Sequence, residues 1–177
     1  MGSGPGDDRD FRASAAKASF PPVVDACTRV LILGSLPGEI SLARQQYYAN
    51  PQNQFWRLLE AVTGADLVAS AYEARLAALR AAGIGLWDVI HSAERAGSLD
   101  AAIRGHRPNA LGELVASLPA LRAVAFNGGK ALAIGRRSLG PNTPLAVLAL
   151  PSSSPAYTAP FEAKLEAWLT LGPFLAD

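Results

Sequence analysis

A segment rich in glycine and proline can bring the backbone close to a ligand. Its residues are Gly34, Ser35, Leu36, Pro37 and Gly38. Glycine has no Cβ, so a ligand can approach the main chain closely at both ends of the segment. The segment is neither a Walker loop nor a Gly-x-Gly-x-x-Gly turn. On these residues alone, a ligand-binding loop and an ordinary strand-to-helix turn remain equally open.

Residues 45–56 combine two tyrosines with several amide side chains. Amides recognise the edges of nucleobases, and tyrosine rings stack on nucleobase faces. Tyr47 and Tyr48 are therefore candidate residues for stacking on a base. The alternative is a polar loop whose task is to anchor Phe55 and Trp56 in the core.

Asp88 is a carboxylate inside the otherwise apolar stretch Ile84–Ile90. Burying a carboxylate costs free energy unless the group has a partner. We therefore favour a functional interpretation of Asp88. The alternative is a buried carboxylate that caps a neighbouring loop, at residues 95–98.

Two further segments carry groups that can hold phosphate. Asn127 and Lys130 frame a Gly-Gly pair at the predicted start of a helix, where backbone N–H groups and the ammonium can bind an anion. Ser152, Ser153 and Ser154 lie between two prolines and offer hydroxyls and N–H groups to a phosphodiester. Both segments are also common as plain turns, so neither is specific by itself.

These segments follow short apolar stretches that alternate with helical patterns. The predicted strands are Arg29–Leu33, Ile84–Ile90, Arg122–Phe126 and Leu145–Leu150. The predicted helices are Asn53–Val62, Ser70–Ala82, Asn109–Ser117, Gly129–Arg137 and Ala159–Leu171. The alternation predicts an α/β fold, a three-layer α/β/α sandwich with a central parallel four-stranded sheet. In such sheets the site lies beyond the carboxyl ends of the strands, where these segments would meet.

Length and composition predict one folded domain. The chain has 177 residues, of which 50% are hydrophobic, and this excludes a fully disordered chain. Residues 1–22 are rich in glycine, proline, serine and charged residues and show no hydrophobic period. We therefore expect a flexible arm there and a single domain over 23–177. We find no apolar run of membrane-spanning length and no signal-peptide pattern, and we expect a cytoplasmic monomer.

Metal and cofactor chemistry have little support in the sequence. Cys27 is the single cysteine, which argues against an internal disulfide and a cysteine-based zinc site. His91 and His106 stand without a matching carboxylate pattern. A Ser-His-Asp hydrolase lacks its Gly-x-Ser-x-Gly elbow. We therefore expect neither a metal nor a cofactor.

Taken in chain order, the segments resemble the motifs of the uracil-DNA glycosylase superfamily, most closely its hypoxanthine-DNA (deoxyinosine) glycosylase branch. Residues 34–38 resemble the Gly-x-x-Pro-Gly/Tyr loop. The stretch Asn50-Pro-Gln-Asn-Gln-Phe-Trp-Arg57 resembles the x-Pro-x-Asn-x-Phe-Trp motif shared by the hypoxanthine and mismatch-specific branches. The remaining matches are Gly83–Ile90 to the base-reading strand, Asn127–Ala131 to the third-strand turn and Leu150–Pro155 to the DNA-gripping loop.

The resemblance implies an enzyme that hydrolyses the N-glycosidic bond of a deaminated base flipped out of DNA. Leu36 stands where many members carry an Asp or Asn, and Leu150 stands where many carry a His. The resemblance places the catalytic amide at Asn53. The implied base-binding residues are Gly34, Ser35, Leu36, Pro37, Gly38, Tyr47, Tyr48 and Asp88. The implied DNA-binding residues are Asn127, Lys130, Ser152, Ser153 and Ser154.

Asp88 stands where other branches carry the asparagine that reads uracil. An ionised carboxylate only accepts hydrogen bonds, so it would suit the N1–H of hypoxanthine and leave O6 to a backbone N–H. Two alternatives stay open: a uracil or mismatch-specific glycosylase of the same superfamily, and a catalytically weak nucleic-acid-binding homologue.

Overall fold

A computed structural model describes residues 16–177 of the chain. The strands are β1 (Lys17–Ala18), β2 (Val30–Gly34), β3 (Ile84–Asp88), β4 (Ile90–Glu94), β5 (Arg104–Pro108), β6 (Ala123–Asn127) and β7 (Ala146–Leu150). The helices are α1 (Glu39–Arg44), α2 (Phe55–Thr63), α3 (Tyr72–Ala81), α4 (Leu111–Ala116), α5 (Gly129–Leu139), α6 (Phe161–Trp168) and α7 (Gly172–Leu175). Short 3-10 turns cover Asp100–Ala102 and Leu169–Leu171. None of the helices in this part of the chain is long and apolar enough to cross a bilayer.

The central sheet has four parallel strands in the order β3-β2-β6-β7. Its two faces bury separate apolar clusters, since Val30 and Ile32 of β2 pack on one side and Leu31 and Leu33 on the other. Helices α2, α3 and α6 cover the first face, and α4 and α5 cover the second. The predicted three-layer α/β/α sandwich is therefore confirmed.

A second, antiparallel sheet in the order β1-β4-β5 corrects the predicted strand Ile84–Ile90. β3 ends at Asp88, and the backbone N–H groups of Val89 and Ile90 donate to the carbonyls of Gly34 and Ser35. The chain thereby leaves the parallel sheet, and Ile90 begins β4, opposite Pro108. Asp88 is consequently the last residue of its strand, at the sheet edge where a ligand would bind.

Part of the segment expected to be a flexible arm, residues 1–22, is packed against the domain. Lys17 and Ala18 pair with Ala93 and Ser92 of β4. The indole N–H of Trp87 donates to the carbonyl of Phe20 at 3.0 Å. Residues before the predicted boundary at residue 23 therefore pack against the domain, because β1 completes the second sheet. Residues 1–15 of the expected arm lie outside the described residues.

The helix ends differ from the predicted ones where local signals misled. Helix α3 begins at Tyr72 and not at the predicted Ser70, whose hydroxyl donates to the carbonyl of Asp66 at 2.6 Å. The predicted helix Ala159–Leu171 stops at Trp168 and continues as a 3-10 turn. Helix α1 was not predicted, since its six residues are too few to show a period.

Candidate active site

A cleft of about 480 Å³ opens beyond the carboxyl ends of the central strands. It brings together nearly all of the predicted site residues: Gly34, Ser35, Leu36, Pro37, Gly38, Tyr47, Tyr48, Asn53, Asp88, Asn127, Ser152, Ser153 and Ser154. Lys130 is the exception, and it lies half-buried in the first turn of α5, outside the cleft lining. Residues that are far apart in the sequence meet here because parallel strands end at one edge.

Gly34 forms a wall of the cleft that has no room for a side chain. A Cβ at this position would lie 2.6 Å from Asp88 Oδ1 and 2.8 Å from the hydroxyl of Tyr48. Gly34 pairs in register with Asp88, so the end of β2 and the end of β3 are direct neighbours. The glycine therefore lets the carboxyl and the phenol approach the same point of the cleft.

The Asp88 carboxyl is buried in this wall, with the side chain only 4% exposed. Its Oδ2 has no hydrogen-bond partner within residues 16–177. Burial raises the pKa of Asp88 to about 7, the negative charge of Asp100 acts in the same direction, and the positive charge of Arg95 opposes both. The carboxyl thus titrates near neutral pH instead of staying ionised as an exposed aspartate does.

Arg95, which the sequence did not single out as a site residue, fixes the glycine-rich segment from behind. Its guanidinium is 1% exposed and donates to the carbonyls of Leu36, Pro37 and Gly97. The alternative that Asp88 caps the loop at residues 95–98 finds no support, because no hydrogen bond joins Asp88 to these residues in the described part of the chain. The loop is instead held by the hydrogen bond from Arg95 to the carbonyl of Gly97. Within the same part, the backbone N–H groups of Leu36 and Gly38 have no protein partner.

Asp100 is a second carboxyl of the cleft that sequence reasoning missed. It lies in the 3-10 turn between β4 and β5 and accepts a hydrogen bond from the Ser35 hydroxyl at 2.6 Å. Ser98 and Leu99 of the same connection also line the cleft, and Leu99 is 59% exposed. The local sequence carries no signal for this placement, because it depends on β4 folding back across the sheet edge.

The two tyrosines have different surroundings. Tyr47 is 4% exposed, and its hydroxyl donates to the carbonyl of Pro21 at 3.0 Å, so most of its ring belongs to the core. Tyr48 stacks on Phe55 with ring centroids 3.7 Å apart, which covers one face of its ring. The Tyr48 hydroxyl accepts a hydrogen bond from Asn127 Nδ2 at 3.3 Å, and burial raises its pKa, so the phenol stays protonated.

Asn53 is held in one orientation at the start of α2. Its Oδ1 accepts the backbone N–H of Phe55 at 3.0 Å. The backbone N–H of Gln54, the residue that follows Asn53, donates to the carbonyl of Ser153 at 3.0 Å. The amide oxygen keeps one lone pair free. The Nδ2 of Asn53 makes no hydrogen bond within residues 16–177. Asn53 can therefore still accept from, and donate to, a group in the cleft.

The three serines divide into one structural and two accessible hydroxyls. Ser153 is fully buried and exchanges two hydrogen bonds of 2.9 Å with the Asn127 side chain, which ties the loop after β7 to the end of β6. Ser152 and Ser154 are half-buried, and their hydroxyl oxygens accept backbone N–H groups of this loop. Within residues 16–177 these two hydroxyls donate to no protein group, so their protons can be donated to a phosphate.

Comparison with known proteins places the chain in a family. The model of the uracil DNA glycosylase superfamily matches residues 21–172. Two proteins named hypoxanthine DNA glycosylase, from Methanosarcina barkeri and Methanosarcina acetivorans, are each 46% identical, over 64% and 65% of this chain and 72% and 73% of their own. A solution NMR structure of a putative uracil DNA glycosylase from Methanosarcina acetivorans has a TM-score of 0.79 and 39% identity, covering 90% of this chain and 98% of that one.

The chain belongs to the uracil DNA glycosylase superfamily. It is therefore a DNA glycosylase, a hydrolase of the N-glycosidic bond that joins a base to DNA. Within the superfamily it is similar to hypoxanthine DNA glycosylases.

Proposed function

We propose that this enzyme removes hypoxanthine, the deaminated form of adenine, from DNA. The observation that carries the proposal is the buried carboxyl of Asp88 at the wall of a cleft large enough for a single nucleotide. The names of the two relatives from Methanosarcina support the same base. The glycosidic bond is inaccessible inside a duplex, so the deoxyinosine has to turn out of the stack and enter the cleft.

The free backbone N–H groups at the cleft can stabilise the departing base. Breaking the N-glycosidic bond leaves negative charge on the purine. The N–H groups of Leu36 and Gly38 are unpartnered within the described residues, and the Arg95 guanidinium lies behind their segment. Donors that are held in place before the charge develops stabilise the transition state without reorganisation. The electrostatic part of catalysis is thus assigned to this segment.

Asn53 is the residue that we propose to place the attacking water. Its free lone pair and its Nδ2 protons can hold a water beside the sugar, while the bond to the Phe55 N–H fixes the direction of the amide. An amide is a weak base, but a bond that is already dissociating needs little basicity from its catalyst. Leu36 and Leu150 carry no group for this task.

The test of the proposed function is a base-excision assay on oligonucleotides that contain hypoxanthine, xanthine, uracil or a mismatched thymine. Abasic sites are cleaved with alkali and the fragments are counted. We expect the fastest excision from the hypoxanthine strand. Faster excision of uracil or thymine would favour the mismatch-specific alternative. Binding without abasic sites would favour the catalytically weak homologue.

We expect DNA binding to weaken steeply with salt although the net charge is only +1. Released counterions follow local phosphate contacts and not total charge. Lys130, with Ser152 and Ser154, is proposed to contact the phosphates that flank the flipped nucleotide. Lys130→Ala should therefore reduce the slope of log K against log salt by about 1.

The matched control for this salt prediction is Arg137→Ala, an exposed cation near the opposite end of the same helix. It should leave the slope unchanged, as measured by fluorescence anisotropy of a labelled duplex. A wild-type slope close to zero would contradict DNA binding through phosphates.

We also propose that the enzyme acts as a monomer in the cytoplasm and without a metal.

A further inference from the structure

Three carboxyl side chains line the cleft, those of Glu39, Asp88 and Asp100. Asp88 ends β3, and Asp100 lies in the turn between β4 and β5. Asp100 is fixed by the Ser35 hydroxyl at 2.6 Å. Asp88 has its Oδ2 buried and without a partner within residues 16–177. Glu39 pairs with Lys17 at 3.3 Å. Among the described residues, Asp88 is therefore the carboxyl of the cleft that has no hydrogen-bond or ion-pair partner.

The charged and titratable groups around Asp88 do not neutralise it by direct contact. Arg95 donates its hydrogen bonds to backbone carbonyls and none to Asp88. The ion pairs found among the described residues do not include Asp88. Tyr47 and Tyr48 present phenol groups, whose pKa values are raised by burial and by Asp88 itself. Asp100 adds a like charge. Such surroundings favour an uncharged Asp88.

We propose that Asp88 reads hypoxanthine as a neutral carboxylic acid, with its carbonyl oxygen accepting the N1–H and its O–H donating to O6. This inference rests on the proposed function. An ionised carboxylate would accept the N1–H but set a negative charge against O6, whereas the protonated group offers one acceptor and one donor side by side. That pair matches the N–H and C=O of the base, as the amide of an asparagine would.

The protonated form also assists the chemical step. Negative charge spreads from N9 onto O6 of the purine as the glycosidic bond breaks, and the Asp88 O–H donates to that oxygen. No proton needs to leave Asp88, since the hydrogen bond strengthens as the charge on O6 grows. Ionisation of Asp88 removes this donor and adds repulsion, so excision slows as the pH rises.

Asp100 acts as a positioning residue in this arrangement. Its negative charge, held beside the cleft by Ser35, disfavours a second negative charge on Asp88 and so keeps the proton there. Asp100→Asn preserves an acceptor for the Ser35 hydroxyl and removes the charge. A merely structural Asp100 would leave the pH dependence of excision unchanged in this variant.

The experiment measures single-turnover excision of hypoxanthine between pH 5.5 and 9 for the full chain. For the wild type we expect a plateau at low pH and a decline above about pH 7 that approaches tenfold per pH unit. Asp88→Asn should give a profile without the decline above pH 7, because the amide offers both hydrogen-bonding groups and does not ionise. Asp100→Asn should move the midpoint to lower pH, and the exposed control Asp66→Asn should move nothing.

A wild-type rate that is constant or rises with pH overturns the inference, as does an Asp88→Asn profile that still declines above pH 7. Carboxyl ¹³C NMR of the free protein gives a second measurement, with the Asp88 signal assigned by its loss in Asp88→Asn. Titration of that signal below pH 5 overturns the inference whether or not hypoxanthine is excised. Absence of excision from every oligonucleotide, by contrast, overturns the proposed function and leaves the titration result standing.

Discussion

Replacing Asn53 with alanine is expected to lower the single-turnover rate of hypoxanthine excision at least about 100-fold, while DNA binding survives. The reason is the loss of the group that we propose to hold the attacking water. Asn53 lines the cleft, and its amide is fixed by the Phe55 N–H at 3.0 Å. Excision rates with enzyme in excess and anisotropy of the same duplex measure the two effects separately.

The Asn53→Ala variant also loses a helix-terminal hydrogen bond, which costs about 1 kcal/mol of stability. Thr63→Ala is the matched control, since Thr63 makes local hydrogen bonds at the other end of α2 and is not part of the cleft lining. Asn53→Asp keeps the oxygen acceptor and should excise far faster than Asn53→Ala. Wild-type rates in Asn53→Ala, or an equal loss in Thr63→Ala, would remove Asn53 from the catalytic role.

Replacing Gly34 with alanine is expected to reduce hypoxanthine excision about 100-fold or more. The new methyl group would lie 2.6 Å from Asp88 Oδ1 and 2.8 Å from the Tyr48 hydroxyl, so both groups have to move. A displacement of about 1 Å in a group that positions the substrate can cost this much in rate. The single-turnover rate on a hypoxanthine duplex measures the effect.

Gly172→Ala is the control for the Gly34 substitution, because a Cβ at Gly172 meets no atom within 4 Å and the residue lies outside the cleft. It should excise at the wild-type rate. Thermal unfolding followed by circular dichroism shows whether each variant folds. A folded Gly34→Ala enzyme with normal excision would show that the wall at Asp88 is not part of the base pocket.

The alternation of strands and helices was predictable because it depends on local chemistry. Continuous apolar runs identified the four central strands, and residues after each run identified the cleft. Asn53 and Asp88 lie in the cleft where strand-end reasoning and the family resemblance put them. Their roles in base excision remain predictions.

Local chemistry misled where the chain changes sheets. The run Ile84–Ile90 looks like one strand, yet Gly34 and Ser35 accept the N–H groups of Val89 and Ile90 and turn the chain into β4. Strand β5 is exposed along its whole length and carries no apolar alternation. The second sheet was therefore missed, because its pairing is visible only once the chain has folded.

The sequence by itself determined the class of fold, the family and the side chains that meet at one sheet edge, since periodicity and turn residues act over a few positions. The tertiary structure decided the electrostatics of that edge. Asp100 lines the cleft and Arg95 binds the backbone of the glycine-rich segment, both from the β4–β5 connection, and burial brings the pKa of Asp88 to about 7. A pKa depends on the distances between charges and on their exclusion from water, and both are set by contacts between residues that are distant in the chain.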